Sequence, residues 1–450
     1  MMKTGLLILF IIISMALSGC APDKPKNIIF MISDGCGYNH VDAASLYQHG
    51  QTGVQIYEQF PVVYAMSTHS LTGKPYNPDS AWTSFNYVKR KPTDSAAAGT
   101  ALATGVKTKN RLIGMDSSFA ILENISERLE KYGKSTGVIT SVPFYHATPA
   151  AFVAHNRDRN NYREIALEML TQSPLDVIMG CGYPDYDDDG KITKMDMTAE
   201  FTMDSALWKQ LLDGYLGNDA DGDGIEDKWI LIDDRKEFVD LSANKTPKRL
   251  LGVAKIYSTL QSERNGDSLA APFAVPLIES VPTLEEMTQV ALNILDEDPD
   301  GFFLMIEGGA VDWVSHANNS SRLIEEQIDF NKSVEAVVDW VEKNSSWNET
   351  LLIVTADHET GYLTGPGSND SVLAGKGSIE DIWKPLVNNG KGQLPGMEWH
   401  SHKHTNSLVP MYAKGPGSAK FSQYIIGNDP VRGKYIDNTS IAHLIFSYYH

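Results

Sequence analysis

The chain has 450 residues, 42% hydrophobic and 21% charged, a balance ordinary for one large globular domain or a few smaller ones. Its 57 acidic residues outnumber 38 basic ones, giving a net charge of −19. That excess excludes a nucleic-acid-binding protein, which needs a basic footprint, while a local metal site can still attract anions.

Residues 1–20 read as an export signal. Lys3 supplies a positive start, and Leu6–Met15 is an apolar run too short to span a bilayer comfortably. Leu17-Ser18-Gly19-Cys20 has the form of a bacterial lipobox, with cleavage before Cys20 and lipid attached to it. The expected product is a mature domain over residues 21–450, outside the cytoplasm in the periplasm or at the cell surface, and tethered to a membrane. Of its cysteines only Cys36 and Cys181 remain. An oxidising compartment allows a disulfide between them, and two buried free thiols fit equally.

Lys26–Asp34 is a short apolar run ending in Asp-Gly, the form of a buried strand that delivers an Asp to its C-terminal edge. The same form recurs at Ser135–Ser141, Asp176–Gly180, Gly252–Ser258, Phe302–Glu307, Leu351–Asp357 and Leu408–Ala413. Amphipathic stretches such as Ala120–Tyr132 and Thr283–Leu295 separate several of them. The alternation predicts an α/β fold: a three-layer sandwich with a large, mainly parallel central sheet and helices on both faces. Ligands in such sheets bind beyond the carboxyl ends of the strands, where Asp34, Glu307 and Asp357 fall.

Pro92–Gly105 predicts a helix of small residues. Thr93 and Asp94 are N-cap residue types, Gly105 suits the end, and Ser95 stands on the first turn, where free N–H groups favour an anion. Residues 181–250 are acidic and rich in glycine, and read as an insertion on the sheet scaffold. Within it, Asp219, Asp221, Asp223 and Asp227 are spaced as in short calcium loops, with Ile230 where an EF-hand has its Glu; a solvated Asp-Gly turn is the other reading. Ser368–His400, rich in Gly and Pro, predicts loops over the strand edge.

Three clusters have metal-ligand character. Asp312 and His316 stand four residues apart, so a helix places both on one face. Asp357-His358 follows a predicted strand, and His400, His402 and His404 form the third group. With Asp34, these suit a two-metal phosphoryl-transfer site in which Ser95 attacks phosphorus.

These residues resemble the alkaline phosphatase family. The matching runs are Ser33-Asp34-Gly35, Thr93-Asp94-Ser95-Ala96-Ala97, Ala147-Thr148-Pro149-Ala150-Ala151, Glu307-Gly308, Asp312-x₃-His316, Thr355-Ala356-Asp357-His358 and His404-Thr405, in the family's order from Asn27 to about Gly415. The resemblance implies one Zn²⁺ on Asp312, His316 and His404, and a second on Asp34, Asp357 and His358 beside Ser95. It also implies a Mg²⁺ completed by Asp34, Thr148 and Glu307. Arg159, eleven residues after Thr148, has the spacing of the family's phosphate-clamping arginine, with Arg157 as competitor. His146 and Trp313 depart from the enteric pattern, which has Asp and Lys there, and look like the marine cold-active members.

The implied activity is phosphomonoester hydrolysis through a phosphoserine, on small-molecule phosphate esters; family members are commonly homodimers. The rival readings are a phosphodiesterase-like or sulfatase-like relative, and a surface lipoprotein that captures metal or phosphate without turnover.

Overall fold

The computed structural model describes residues 24–194, 203–244, 247–369 and 378–449. The signal segment with Cys20 lies outside them, as does part of Ser368–His400.

A run with no polar interruption must be covered on both faces, and Asn27–Ser33 (β1) is buried along its whole length in the middle of an 11-stranded sheet. The other strands are Val62–Ser67 (β2), Ser135–Pro143 (β3), Val177–Cys181 (β4), Ile230–Ile232 (β5), Leu250–Val253 (β6), Phe302–Gly308 (β7), Thr350–Thr355 (β8), Val409–Lys414 (β9), Gly427–Asp429 (β10) and Gly433–Asp437 (β11). Their spatial order is β10-β11-β2-β9-β8-β1-β7-β3-β4-β6-β5. Every neighbouring pair from β8 to β5 runs parallel. Its strands β8, β1 and β7 lead to Asp357, Asp34 and Glu307.

Helices cover both faces. Those that matter here are Tyr38–His49 (α1), Ser95–Thr104 (α2), Ala147–Ala151 (α3), Leu284–Leu295 (α4), Ala310–His316 (α5), Ser320–Asn344 (α6) and Thr439–Phe446 (α7). One set packs α4 and α1 on α6; another packs α3 and α7 on α2. The start of α4 shows why the chain turns helical there. Thr283 accepts from Glu286 N–H at 3.1 Å, Glu286 reaches back to Thr283 N–H at 3.0 Å, and Leu284, Met287, Ala291, Ile294 and Leu295 fall on a buried stripe.

Two expectations are corrected in detail, and two features of the sheet go beyond them. The strand expected over Gly252–Ser258 is β6, starting earlier at Leu250, beside a buried Arg249 whose guanidinium bonds the carbonyls of Leu175 and Ser173. The helix expected within Ala120–Tyr132 covers only Ile125–Glu130, because Asn124 caps it at 3.0 Å from Glu127 N–H, while Ile121 bridges to Met115. β9 runs antiparallel to both β8 and β2; an apolar run carries no sign of direction. The acidic segment 181–250 contributes β5 to the sheet edge through Ile230–Ile232. Cys36 and Cys181 are both free and buried.

Candidate active site

Asp34 directly follows β1, Glu307 is the penultimate residue of β7 and Asp357 comes two residues after β8. Three adjacent parallel strands thus carry three carboxylates to one edge. Gly35 turns the chain with φ +73°, and a Cβ there would stand 2.8 Å from Asp312 Cα, so only glycine lets α5 come this close. The N–H groups of Gly35 and His358 both donate to Asp357 Oδ1, at 3.1 and 2.8 Å. These bonds fix one face of that carboxylate and leave Oδ2 for another partner.

Ser95 is the first residue of α2, which ends as expected at Gly105 in a left-handed cap. Asp94 caps the start: Oδ1 accepts from Ala97 N–H at 2.9 Å, while Oδ2 accepts from Arg111 N–H at 2.9 Å and lies 3.5 Å from Arg159 Nη1. Arg159 is therefore held beside the serine. Arg157 is exposed, with its guanidinium 4.7 Å from the centre of the Phe119 ring, and takes no part. Ser95 Oγ is buried, 3.3 Å from His358 Nε2.

The imidazoles are oriented from behind. His316 Nδ1 donates to the His402 carbonyl at 2.6 Å, and His404 Nδ1 donates to the Thr93 carbonyl at 2.9 Å. With Nδ1 protonated, neutral rings carry a lone pair on Nε2, the form that ligates metal. The two Nε2 atoms face each other at 2.9 Å, and Asp312 lies 3.4 Å from the first and 3.5 Å from the second. Two facing lone pairs repel unless a cation or proton lies between them.

The second group is fully buried. His358 Nε2 lies 3.2 Å from Asp357 Oδ2 and 3.5 Å from Asp34 Oδ1. Asp34 Oδ1, Asp357 Oδ2 and Glu307 Oε1 accept no hydrogen bond from the described residues. Orphaned buried carboxylate oxygens are costly, and here they converge. Burial, then the neighbouring charges of Asp357, Asp312 and Glu307, drive the Asp34 carboxyl well above its usual range. Burial likewise pushes Asp357 and Glu307 up to about 7. Asp312 goes the other way: burial opposes its charge, but the imidazoles of His404, His316 and His358 outweigh that and hold it low. Burial and the neighbouring His404 keep the His358 ring well below its ordinary value, hence neutral. The donor set of buried carboxylates and neutral imidazoles fits divalent cations.

Thr148 begins the approach to a third position, its hydroxyl 3.3 Å from Asp34 Oδ2, and Thr140 donates to Glu307 Oε2. His146 precedes α3 and meets Trp313 edge to face, ring centres 5.5 Å apart. The two departures from the enteric pattern are thus neighbours in space. Asp219, Asp221 and Asp227 each bring a carboxylate oxygen within 4.8 Å of the others. Lys248 bonds Asp221 and Asp227 there, at 2.9 and 3.0 Å, while Asp223 accepts from Ile225 N–H at 2.7 Å.

Two contributors escaped the sequence reading, Thr140 and Thr360. Thr360 lies two residues after His358, so its place beside the motif was a signal; nothing near Thr140 marked it.

This fold and edge define a metal-binding hydrolase of the α/β class. The comparisons narrow it. Residues 25–380 match the family model for alkaline phosphatase, and the chain belongs to the alkaline phosphatase family. It is a phosphomonoesterase by that membership. Among curated relatives, alkaline phosphatase 4 of Bacillus subtilis is 29% identical, covering 94% of this chain and 88% of that protein. The Escherichia coli alkaline phosphatase is 28% identical over 90% of this chain and 84% of its own. Among solved structures, the alkaline phosphatase of the Antarctic bacterium TAB5 superposes with a TM-score of 0.62 at 26% identity, covering 95% of this chain and 98% of that one. A cold-active alkaline phosphatase from a psychrophilic Shewanella reaches 0.63 at 25% identity, covering 94% and 100%. A TAB5 variant with one His replaced by Asp was solved with Mg bound in its M3 site.

Proposed function

We propose that this chain hydrolyses phosphate monoesters through a phosphoserine on Ser95, with zinc at two positions and magnesium at a third. One observation carries the reading: Ser95 Oγ stands at the N-terminus of a ten-residue helix, 3.3 Å from a neutral, buried His358 Nε2. Asp312, His316 and His404 would hold the first zinc, and Asp34, Asp357 and His358 the second. Asp34, Thr148 and Glu307 would hold magnesium. The bound ions supply positive charge to the attacking and leaving oxygens.

The chain's own residues do the rest. The free N–H groups of the first turn of α2 and the Arg159 fork cradle the equatorial phosphate oxygens. Ser95 Oγ forms the new bond to phosphorus as the ester P–O bond breaks and the alcohol leaves. Water then breaks the P–Oγ bond, releasing phosphate and restoring the serine.

The test is turnover of p-nitrophenyl phosphate by purified full-length protein, with Ser95→Ala beside it. We expect no trapped phosphoenzyme and less than a tenth of kcat in the variant, with metal content near wild type, because a covalent nucleophile normally carries several kcal/mol. Retention of more than about a tenth of kcat would contradict the covalent route. A wild type with no turnover at all would favour the metal- or phosphate-capturing reading.

Cys20 is proposed to carry the lipid tether; among the described residues no helix is long and apolar enough to cross a membrane. Cys20→Ala should move the activity from the membrane fraction to the soluble one.

A further inference from the structure

A cleft of about 550 Å³ beside the start of α2 is bordered by Asp94, Asn110, His316 and His404, and by two lysines, Lys91 and Lys403. Both lysines are exposed, and among the described residues neither ammonium makes an ion pair or hydrogen bond. This sets them apart from Lys107, Lys131, Lys248, Lys255 and Lys343, each bonded to a carboxylate. In a chain of net charge −19, two cations left unneutralised on one rim make a local field of opposite sign.

Their backbones, by contrast, are fixed. Lys91 sits at φ +49°, a conformation that side-chain-bearing residues adopt sparingly, and its carbonyl accepts from Asn406 Nδ2 at 3.3 Å. The Lys403 carbonyl accepts from Gly361 N–H at 3.2 Å, and its own N–H donates to Ser401 Oγ at 3.0 Å. Lys403 also stands between His402, whose carbonyl orients His316, and His404. Lys403 is therefore held on the rim by the segment that orients His316, and Lys91 stands two residues before Thr93, whose carbonyl orients His404.

The scissile phosphate belongs beside Ser95 and Arg159, so the leaving group must point out through this rim. We infer that Lys91 and Lys403 select phosphomonoesters whose leaving group carries a second anionic group, such as sugar bisphosphates. The inference rests on the phosphatase reading above. Exposed pairs of this kind change binding modestly, so the expected preference is about three- to tenfold for the two lysines together.

The experiment measures kcat/KM by phosphate release from fructose 6-phosphate and from fructose 1,6-bisphosphate, using the full chain. The variants are Lys91→Asn with Lys403→Gln, which remove both charges, and Lys91→Arg with Lys403→Arg, which keep them. Asn is chosen at the first position because it tolerates a positive φ. The neutral pair should lower the bisphosphate-to-monophosphate ratio about three- to tenfold, and the arginine pair should hold it near wild type. Raising NaCl from about 20 to 200 mM should shrink the wild-type ratio by screening. An unchanged ratio in the neutral pair overturns the inference, as does an equal loss in both pairs, which would mark a structural role. Should wild type hydrolyse neither ester, the phosphatase reading itself falls and this inference with it.

Discussion

The Thr360 hydroxyl joins the two candidate zinc positions, donating to Asp312 Oδ1 at 2.5 Å while lying 3.3 Å from His358 Nδ1. Because the hydroxyl proton goes to Asp312, its lone pair is left for the His358 Nδ1–H. That arrangement leaves His358 Nε2 unprotonated toward Ser95 and keeps one oxygen of Asp312 occupied. Such outer contacts fix ligand orientation, and losing them typically costs about 10–100-fold in metal affinity or activity. Thr360→Val should therefore weaken zinc retention and lower kcat/KM by about that factor, with Thr360→Ser recovering most of both. Equal zinc affinity in wild type and Thr360→Val, measured by competition with a chelator, would deny the hydroxyl this role.

Chelation should remove activity and stability together. The orphaned oxygens of Asp34, Asp357 and Glu307 and the facing Nε2 atoms of His316 and His404 all gain from a cation. Ligand that binds only the folded state stabilises it by mass action. Long incubation in EDTA should abolish turnover and lower the apparent Tm, with zinc, not calcium, restoring most activity. Full turnover after such treatment would exclude a catalytic metal.

Much of this edge was legible because buried strands have a simple signature. Lys26–Asp34, Phe302–Glu307 and Leu351–Asp357 read as apolar runs ending in or near an acid, and the Asp312/His316 spacing is a helix face. What escaped depends on partners distant in sequence. Thr140 meets Glu307 only because β3 and β7 pair in register, with Thr140 opposite Glu307. Lys91 and Lys403 meet at one rim across some three hundred residues of chain. The direction of β9 and the extra edge strand β5 were hidden for the same reason: periodicity reports burial, not which neighbour provides it.

A pH effect on stability should arise away from the site. Glu130 is partly buried facing Asp176 and Asp298, with Arg249 the nearby cation; burial and these like charges push its carboxyl up to about 8. In the unfolded chain it titrates at about 4.3. Between those values the folded state holds more protons, so its contribution to stability falls as pH rises and is lost fully above about 8. Glu130→Gln should raise the apparent Tm at pH 9 by on the order of 1–3 °C and leave it nearly unchanged at pH 5. The two proteins are compared at one scan rate, since unfolding of a chain this size is often irreversible. A constant difference across pH would show that the gain is not ionic.

His146 and Trp313 form an edge-to-face pair. Burial, and then the Arg159 charge, lower the His146 ring to about 3, so it is neutral and within the electrostatic reach of Arg159, the arginine proposed to hold phosphate. Position 313, in contact with that ring, therefore borders the proposed anion site. Trp supplies no positive charge there. A Lys in its place adds one charge-assisted contact, tightening phosphate by on the order of 1.5–3 kcal/mol. Tighter product binding slows release, and release limits turnover in many hydrolases. Trp313→Lys should therefore lower the inhibition constant of inorganic phosphate at least tenfold and lower kcat at alkaline pH. His146→Asp replaces a neutral ring with the oxygen donor that magnesium prefers. That variant should need added Mg²⁺ for full activity where wild type does not. The deciding measurement is the phosphate inhibition constant of wild type and Trp313→Lys at one pH and ionic strength. An equal or weaker constant in the variant would mean that the side chain at 313 packs on His146 without reaching the phosphate.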